Sequence, residues 1–275
     1  MILSKIKKHI FLFLVRLKQK KTITHLLAQD NPLLTIIVES FLQLKYNKLS
    51  ITDDSIFEAC EKYRNQLLQD DTVISFEIFG SDKTMLVKDI CEKAASKPIW
   101  AQFLYLITKR LTSPYFLEIG TNLGVSGTYI LEALKSKKNS QLYTMEGLPQ
   151  LCEIAQNQFS KISNNSKYKI YEGLYKNTFP KLLMDNKNFN IVFIDGNHKK
   201  EPTIKYFIDL QAKLSSPAII IFDDINWSLD MQKVWKIVKS NKNVSYSIDM
   251  FKFGILIFDK NSNNKKADYK LHLAY

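Results

Sequence analysis

The sequence predicts an α/β protein, with a mostly parallel sheet covered by helices on both faces and a helical extension in front. Three observations predict it. From Tyr115 onward, short apolar runs alternate five times with helical stretches, the signature of βα units. The first run ends in a glycine-punctuated turn, Gly120-Thr121-Asn122-Leu123-Gly124-Val125-Ser126-Gly127. The last two runs, Val244 to Phe251 and Phe253 to Asp259, meet with almost no linker around Lys252. Two strands joined so tightly must be antiparallel, and they are expected to close the sheet at its edge.

Each element has its own warrant. Residues 1–21 suit a basic amphipathic helix, with Ile2, Ile6, Ile10, Phe13 and Leu14 near one face. Packing on its own domain or on a second subunit, as in a homodimer, is preferred for this helix over an anionic membrane surface. Asn31-Pro32 breaks the chain, Leu33 to Leu44 reads as a helix, and Thr52 or Asp53 can cap a third helix ending near Leu68. Residues 83–95 and 98–111 are helix candidates on either side of Lys97-Pro98. Strands are expected over 115–119, 141–146, 168–172, 190–195 and 217–223. Helices are expected over 125–136, 148–162, 176–184, 200–214 and 228–240. The expected division is an extension over 1–70, a main domain over 71–260 and a Lys/Asn-rich tail over 261–275, able to supply one short final strand.

Composition narrows the function classes. The net charge is +12, but Lys5, Lys7, Lys8, Arg16, Lys18, Lys20 and Lys21 fall in the first 21 residues, which hold no acid. The remainder is only mildly basic and lacks an interleaved aromatic and basic stripe, so nucleic acid is a weak candidate partner. The three cysteines, Cys60, Cys91 and Cys152, are scattered and form no CxxC or Cys/His cluster. They suit a reduced, cytoplasmic protein without a zinc site. The apolar run Ile10 to Val15 is far below the ~20 residues needed to span a bilayer.

The glycines locate the site. Gly120, Gly124, Gly127, Gly147, Gly173 and Gly196 lie at or just past the carboxyl ends of the first four predicted parallel strands, and the opposite turns have none. Ligands in open α/β sheets bind at that edge. The first turn should bring bare backbone N–H groups and a helix N-terminus to one point. Glu118, two residues before it, suits a cation or hydrogen-bond donor. Glu146 ends the second strand, where an acid can take both hydroxyls of a ribose. Glu118 and the wide spacing of the turn argue against a pyrophosphate. An amino acid joined to a nucleoside fits better, which is S-adenosylmethionine.

On these residues the chain resembles the class I S-adenosylmethionine-dependent methyltransferases, in the branch similar to catechol O-methyltransferase and bacterial small-molecule O-methyltransferases. The matching stretches are Leu117 to Ser126, Glu146-Gly147, Gly173-Leu174, Ile194-Asp195-Gly196-Asn197-His198 and Phe222-Asp223-Asp224-Ile225. The resemblance covers residues 115–225 and implies a Rossmann-like three-layer sandwich, with a seven-stranded sheet whose last strand is antiparallel. Glu118, Gly120, Thr121, Gly124 and Ser126 are then expected around the methionine part. Glu146 and Gly147 are expected at the ribose, Gly173 with Leu174 or Tyr175 near the adenine, and Asp195 beside the cofactor.

Asp195, Asp223 and Asp224 end the fourth and fifth strands and could share Mg²⁺ or another divalent cation. The resembling branch holds a metal at these positions, often with Asn in place of the last acid. His198 stands where that branch carries a lysine base, and imidazole titrates near neutral pH. Asp195 and His198 are therefore the expected catalytic pair, acting on a small-molecule or sugar hydroxyl. Met231 and Trp235 recur at helical spacing and read as core, whereas Trp227 could equally wall the acceptor pocket. The rival readings are an RNA methyltransferase and a non-catalytic module that binds the cofactor.

Overall fold

The computed structural model describes residues 2–261 and 266–274, with side chains from His9 onward. Ile2, Lys5, Ile6, Lys7 and Lys8 of the predicted basic helix therefore have no described side chains, and residues 262–265 of the predicted tail lie outside the described residues. The chain forms two compact units, residues 46–191 and residues 1–45 with 192–275. Two helices begin the chain, α1 (Ile2–Leu27) and α2 (Pro32–Lys45).

The unit of residues 46–191 opens with α3 (Ile51–Leu67). Its N-cap is Ser50 rather than Thr52 or Asp53: the Ser50 hydroxyl accepts the Asp53 N–H at 3.1 Å and donates to the Asp53 carboxylate at 2.7 Å. Asp53 is turned inward instead, taking the Tyr105 hydroxyl at 3.0 Å and the Lys109 ammonium at 2.6 Å. A small antiparallel ribbon follows, β1 (Val73–Ser75) with β2 (Thr84–Leu86). The helix expected over 83–95 is thus shortened to α4 (Val87–Ala94), because Thr84 to Leu86 pair with β1 before the helix can start. Helix α5 spans Pro98–Arg110.

The βα units then run as the alternation predicts: β3 (Tyr115–Ile119), α6 (Val125–Leu134), β4 (Gln141–Glu146), α7 (Pro149–Ile162), β5 (Tyr168–Glu172), α8 (Tyr175–Met184) and β6 (Phe189–Ile194). Strand β4 pairs in parallel with β3, Tyr143 opposite Leu117, and with β5, Thr144 opposite Ile170. Residues of α3, α4 and the ribbon form a buried cluster that includes Tyr63, Ile74, Val87 and Ile90 and packs on Leu123, Val125, Leu148 and Leu151. Part of the predicted extension therefore holds down the first glycine turn and the start of α7.

In the other unit, α9 (Lys200–Leu210), β7 (Leu214–Phe222), α10 (Leu229–Lys239), β8 (Val244–Asp249) and β9 (Gly254–Phe258) follow β6. The predicted closing pair forms, β8 antiparallel to β9 with Ile248 opposite Ile255. It does not end the sheet, however. Strand β9 also pairs antiparallel with β7, Ile220 opposite Leu256, and β10 (Ala267–Lys270) adds in parallel to β8, Tyr269 opposite Ile248. The strand order is β10-β8-β9-β7-β6-β3-β4-β5, so the described sheet has eight strands where seven are expected. The added strand covers the exposed edge of β8. Beyond it Leu271, His272 and Leu273 are buried.

Helix α1 outruns its predicted end at residue 21. Leu12, Val15 and Leu26 are buried, Phe11 packs on Phe251, and the Arg16 guanidinium donates to His272 at 3.2 Å. The three cysteines are free and buried. Among the described residues, no helix is long and apolar enough to cross a membrane.

Candidate active site

In the unit of residues 46–191 the candidate site is built on the carboxyl ends of β3 and β4. Glu118 is fully buried, and both of its oxygens are engaged: the Ser126 hydroxyl donates to one at 2.5 Å and the Thr144 hydroxyl to the other at 2.8 Å. Burial pushes the Glu118 carboxyl up to about 7 against the pull of these hydroxyls, and the Glu146 charge adds to the rise. Ser126 is therefore committed to Glu118. Thr121, also buried, shares a hydrogen bond of 2.6 Å with Thr144.

The turn itself departs from its expected form. The N–H groups of its first five residues, Gly120 to Gly124, are not bare. Those of Gly120 and Thr121 donate to the Met145 carbonyl, Asn122 to Glu146, Leu123 to the Asn122 side chain and Gly124 to the Thr121 carbonyl. The turn is fastened to β4 first, and the fixed loop is what a ligand would meet. Gly124 is required on two counts, a φ of +73° and an ideal Cβ that would lie 2.9 Å from the Ala155 Cβ. At Gly127 a Cβ would fall 2.4 Å from the Phe159 ring, so α6 reaches α7 only without a side chain there.

Glu146, at the end of β4, is nearly buried and accepts three backbone N–H groups: Gly147 and Leu148 on one oxygen, at 2.7 and 3.0 Å, and Asn122 on the other at 2.8 Å. Burial raises its carboxyl, and these N–H groups oppose the rise. The second oxygen keeps acceptor capacity. The glycine turn and the predicted ribose acid are thereby joined by one hydrogen bond. Phe79 lies over Gly147, where a Cβ would come within 2.7 Å of its ring. Gly173, with φ +121°, donates its N–H to the Glu146 carbonyl, Leu174 precedes α8, and the Tyr175 hydroxyl reaches the Met145 carbonyl at 3.3 Å. Two residues that the sequence did not mark support the turn: the Tyr63 hydroxyl donates to the Leu123 carbonyl at 2.6 Å, and Phe79 caps Gly147.

The other unit holds the acidic cluster, at the ends of β6 and β7. Asp195, His198 and Asp223 each offer a ligand atom, all within 4.8 Å of one another. His198 Nε2 stands 3.4 Å from an Asp195 oxygen. Asp224, grouped with Asp195 and Asp223 by the sequence, is instead turned to Lys252. The Lys252 ammonium lies 2.8 Å from Asp224 and 2.9 Å from Asp223. Lys252 arrives there because the turn between β8 and β9 is tied to the loop after β7: Ile225 N–H donates to the Lys252 carbonyl and the Asn226 amide to the Phe251 carbonyl. Burial, and next the Asp195 charge, hold the Asp223 carboxyl well above the usual range despite Lys252. The backbone is strained around this point. Asn197, His198, Asp224 and Phe251 all have positive φ, at 71°, 38°, 50° and 71°, a concentration typical of functional loops. Trp227 is 70% exposed, with its ring 5.9 Å from that of His198. Met231 and Trp235 are buried core, as their spacing predicts.

The donor set fits a divalent cation. Two carboxylates and an imidazole converge on one point, a mixed oxygen and nitrogen donor set. The set is Asp195, His198 and Asp223, not the three acids expected. Asp224 is already neutralised by Lys252.

Comparison with known proteins agrees with this architecture. Residues 117–225 match the family model described as a methyltransferase domain. Solved structures share the fold. The O-methyltransferase from Bacillus cereus in complex with S-adenosylhomocysteine is 19% identical over 61% of this chain and 84% of that one, with a TM-score of 0.52. TomG from Streptomyces achromogenes, an O-methyltransferase involved in tomaymycin synthesis and solved with S-adenosylmethionine, is 18% identical over 60% and 82%, with a TM-score of 0.51. The S-adenosylhomocysteine-bound methyltransferase PaMTH1 from Podospora anserina is 16% identical over 76% and 96%, with a TM-score of 0.56. No curated protein matches the chain. Residues 117–225 thus match a methyltransferase domain, and the chain shares its α/β fold with solved O-methyltransferases.

Proposed function

We propose that the protein is an S-adenosylmethionine-dependent O-methyltransferase acting on a small hydroxylated acceptor. The observation that carries the acceptor side is the convergence of Asp195, His198 and Asp223 in strained loops at the strand ends. Cofactor binding is supported by the fixed turn with Glu118 and Glu146, and by the bound ligands of the structures that share the fold. In this reading Glu146 takes the ribose hydroxyls with its remaining acceptor capacity. Glu118 supplies negative charge towards the methionine ammonium.

S-adenosylmethionine, when bound, would supply an activated methyl: the acceptor O–C bond would form as the S–C bond breaks, with that bond's electron pair left on sulfur. Holding the two atoms in line would contribute ~7–11 kcal/mol in favourable cases. His198 takes the acceptor proton, and Asp195, 3.4 Å away, stabilises the imidazolium that results. A second reading follows from the convergence of two carboxylates and an imidazole: a divalent cation held by Asp195, His198 and Asp223 would supply Lewis acidity to the acceptor hydroxyl. Lys252 keeps Asp224 and part of the Asp223 charge neutral in both.

Calorimetry with S-adenosylhomocysteine tests the cofactor. Binding is expected, and Glu146→Ala should weaken it at least ~30-fold through loss of the ribose contacts and of the anchor for Asn122. No binding by the unaltered protein refutes the reading. Labelled-methyl transfer to a panel of phenols, catechols and sugars then tests chemistry, with His198→Ala expected to lower turnover ~10²-fold or more. Activity abolished by chelation and restored by Mn²⁺ or Mg²⁺ selects the second reading.

A further inference from the structure

We propose that α1 docks the protein on an anionic lipid surface, lying in the plane of the interface. The helix has two apolar faces, and only one is used by the fold. Leu12, Val15 and Leu26 are buried on the face where α1 meets α2 and β10, and Phe11 packs on Phe251. At about 100° per residue, Ile10, Phe13, Leu14 and Leu17 fall on the opposite side, spaced i, i+3, i+4 and i+7. They are 54%, 59%, 48% and 66% exposed. Four large apolar side chains in one continuous stripe exceed the scattered exposure of an ordinary surface.

The charges around the stripe select the occupant. Lys18 and Lys20 flank it at about 80° on either side, Lys21 lies at its end, and all three are exposed. No acid occurs before Asp30. A second copy of this face would bring like charges together, whereas an anionic bilayer accepts both the apolar stripe and the lysines beside it. No described helix can cross a membrane, so contact by α1 is interfacial. The inner face of α1 rests on Phe251, next to Lys252 of the acidic cluster, and Arg16 is tied to His272. The docking helix is therefore a fixed part of the unit that carries the cluster.

Co-sedimentation of the full chain with vesicles tests this. Binding is expected to equimolar phosphatidylglycerol and phosphatidylcholine, and to fall about tenfold or more on pure phosphatidylcholine or at about 0.5 M salt. Phe13→Glu with Leu17→Glu, and separately Lys18→Glu with Lys20→Glu and Lys21→Glu, should each reduce it by about tenfold or more while leaving the thermal midpoint unchanged. Vesicle binding by either variant equal to that of the unaltered chain overturns the proposal. So does absence of binding by the unaltered chain. Sedimentation of a lipid-free dimer that the Phe13 and Leu17 changes dissociate also overturns it, because a second copy then owns the stripe.

Discussion

Glu118→Gln isolates a single buried carboxyl and should make the protein more stable at neutral pH. In the folded state the Glu118 carboxyl titrates at about 7, against an ordinary value near 4.5. The folded form therefore binds the proton more tightly than the unfolded chain between those values. Stability must fall as pH rises through that window and level off above it. The shift corresponds to about 3 kcal/mol when fully expressed. Gln keeps the shape and removes the charge, and its amide can still pair with the Ser126 and Thr144 hydroxyls. Glu146 and Asp223 are raised in the same sense, so the unaltered protein alone cannot assign the slope. The difference between the two proteins can. Urea unfolding at intervals from pH 4.5 to 8 should show near-equal stability at the acid end and an advantage of about 3 kcal/mol for the variant at pH 8. Parallel curves, or a variant less stable at pH 8, would refute the placement of an ionisable, desolvated carboxyl at this point.

Cofactor binding should also pull a proton off Glu118 if the methionine ammonium comes to lie beside it. Calorimetry with S-adenosylhomocysteine at pH 6.5, in buffers of different ionisation enthalpy, should show proton release by the unaltered protein and none by Glu118→Gln. Gly127→Ala sets a Cβ 2.4 Å from the Phe159 ring and should cost about 1–3 kcal/mol, read as a fall in the thermal midpoint. Lys252→Met leaves the charges of Asp223 and Asp224 without their cation. It should destabilise by about 3 kcal/mol at pH 8, and the loss should shrink in unfolding curves taken at lower pH, as the raised Asp223 carboxyl gains its proton.

The sequence alone determined the alternation from β3 to α10, because strand and helix periods are local properties of which residues are apolar. It also pointed to the carboxyl strand ends as the site, since six of the eight glycines lie there. It identified Glu118, Glu146, Asp195, His198 and Asp223 as the residues to watch. What it could not supply was the state of those groups. That the N–H groups of Gly120, Thr121 and Asn122 are spent on Met145 and Glu146, that Ser126 is bound to Glu118, and that Asp224 faces Lys252 are outcomes of long-range pairing. Lys252 reads in the sequence as an ordinary turn residue between two strands; it becomes a counter-ion only because β9 lies beside β7. Tyr63 and Phe79 likewise reach the turn and Gly147 from a segment with no site-like motif. The ribbon of β1 and β2 was not distinguishable from a helix start, and the short strand allowed in the tail could not be placed beside β8, because short strands are stabilised by their partners and not by their own composition. Local pattern fixed which elements form and which edge of the sheet carries chemistry. Tertiary contact decided which charges are buried, which are paired, and which face of α1 is left open.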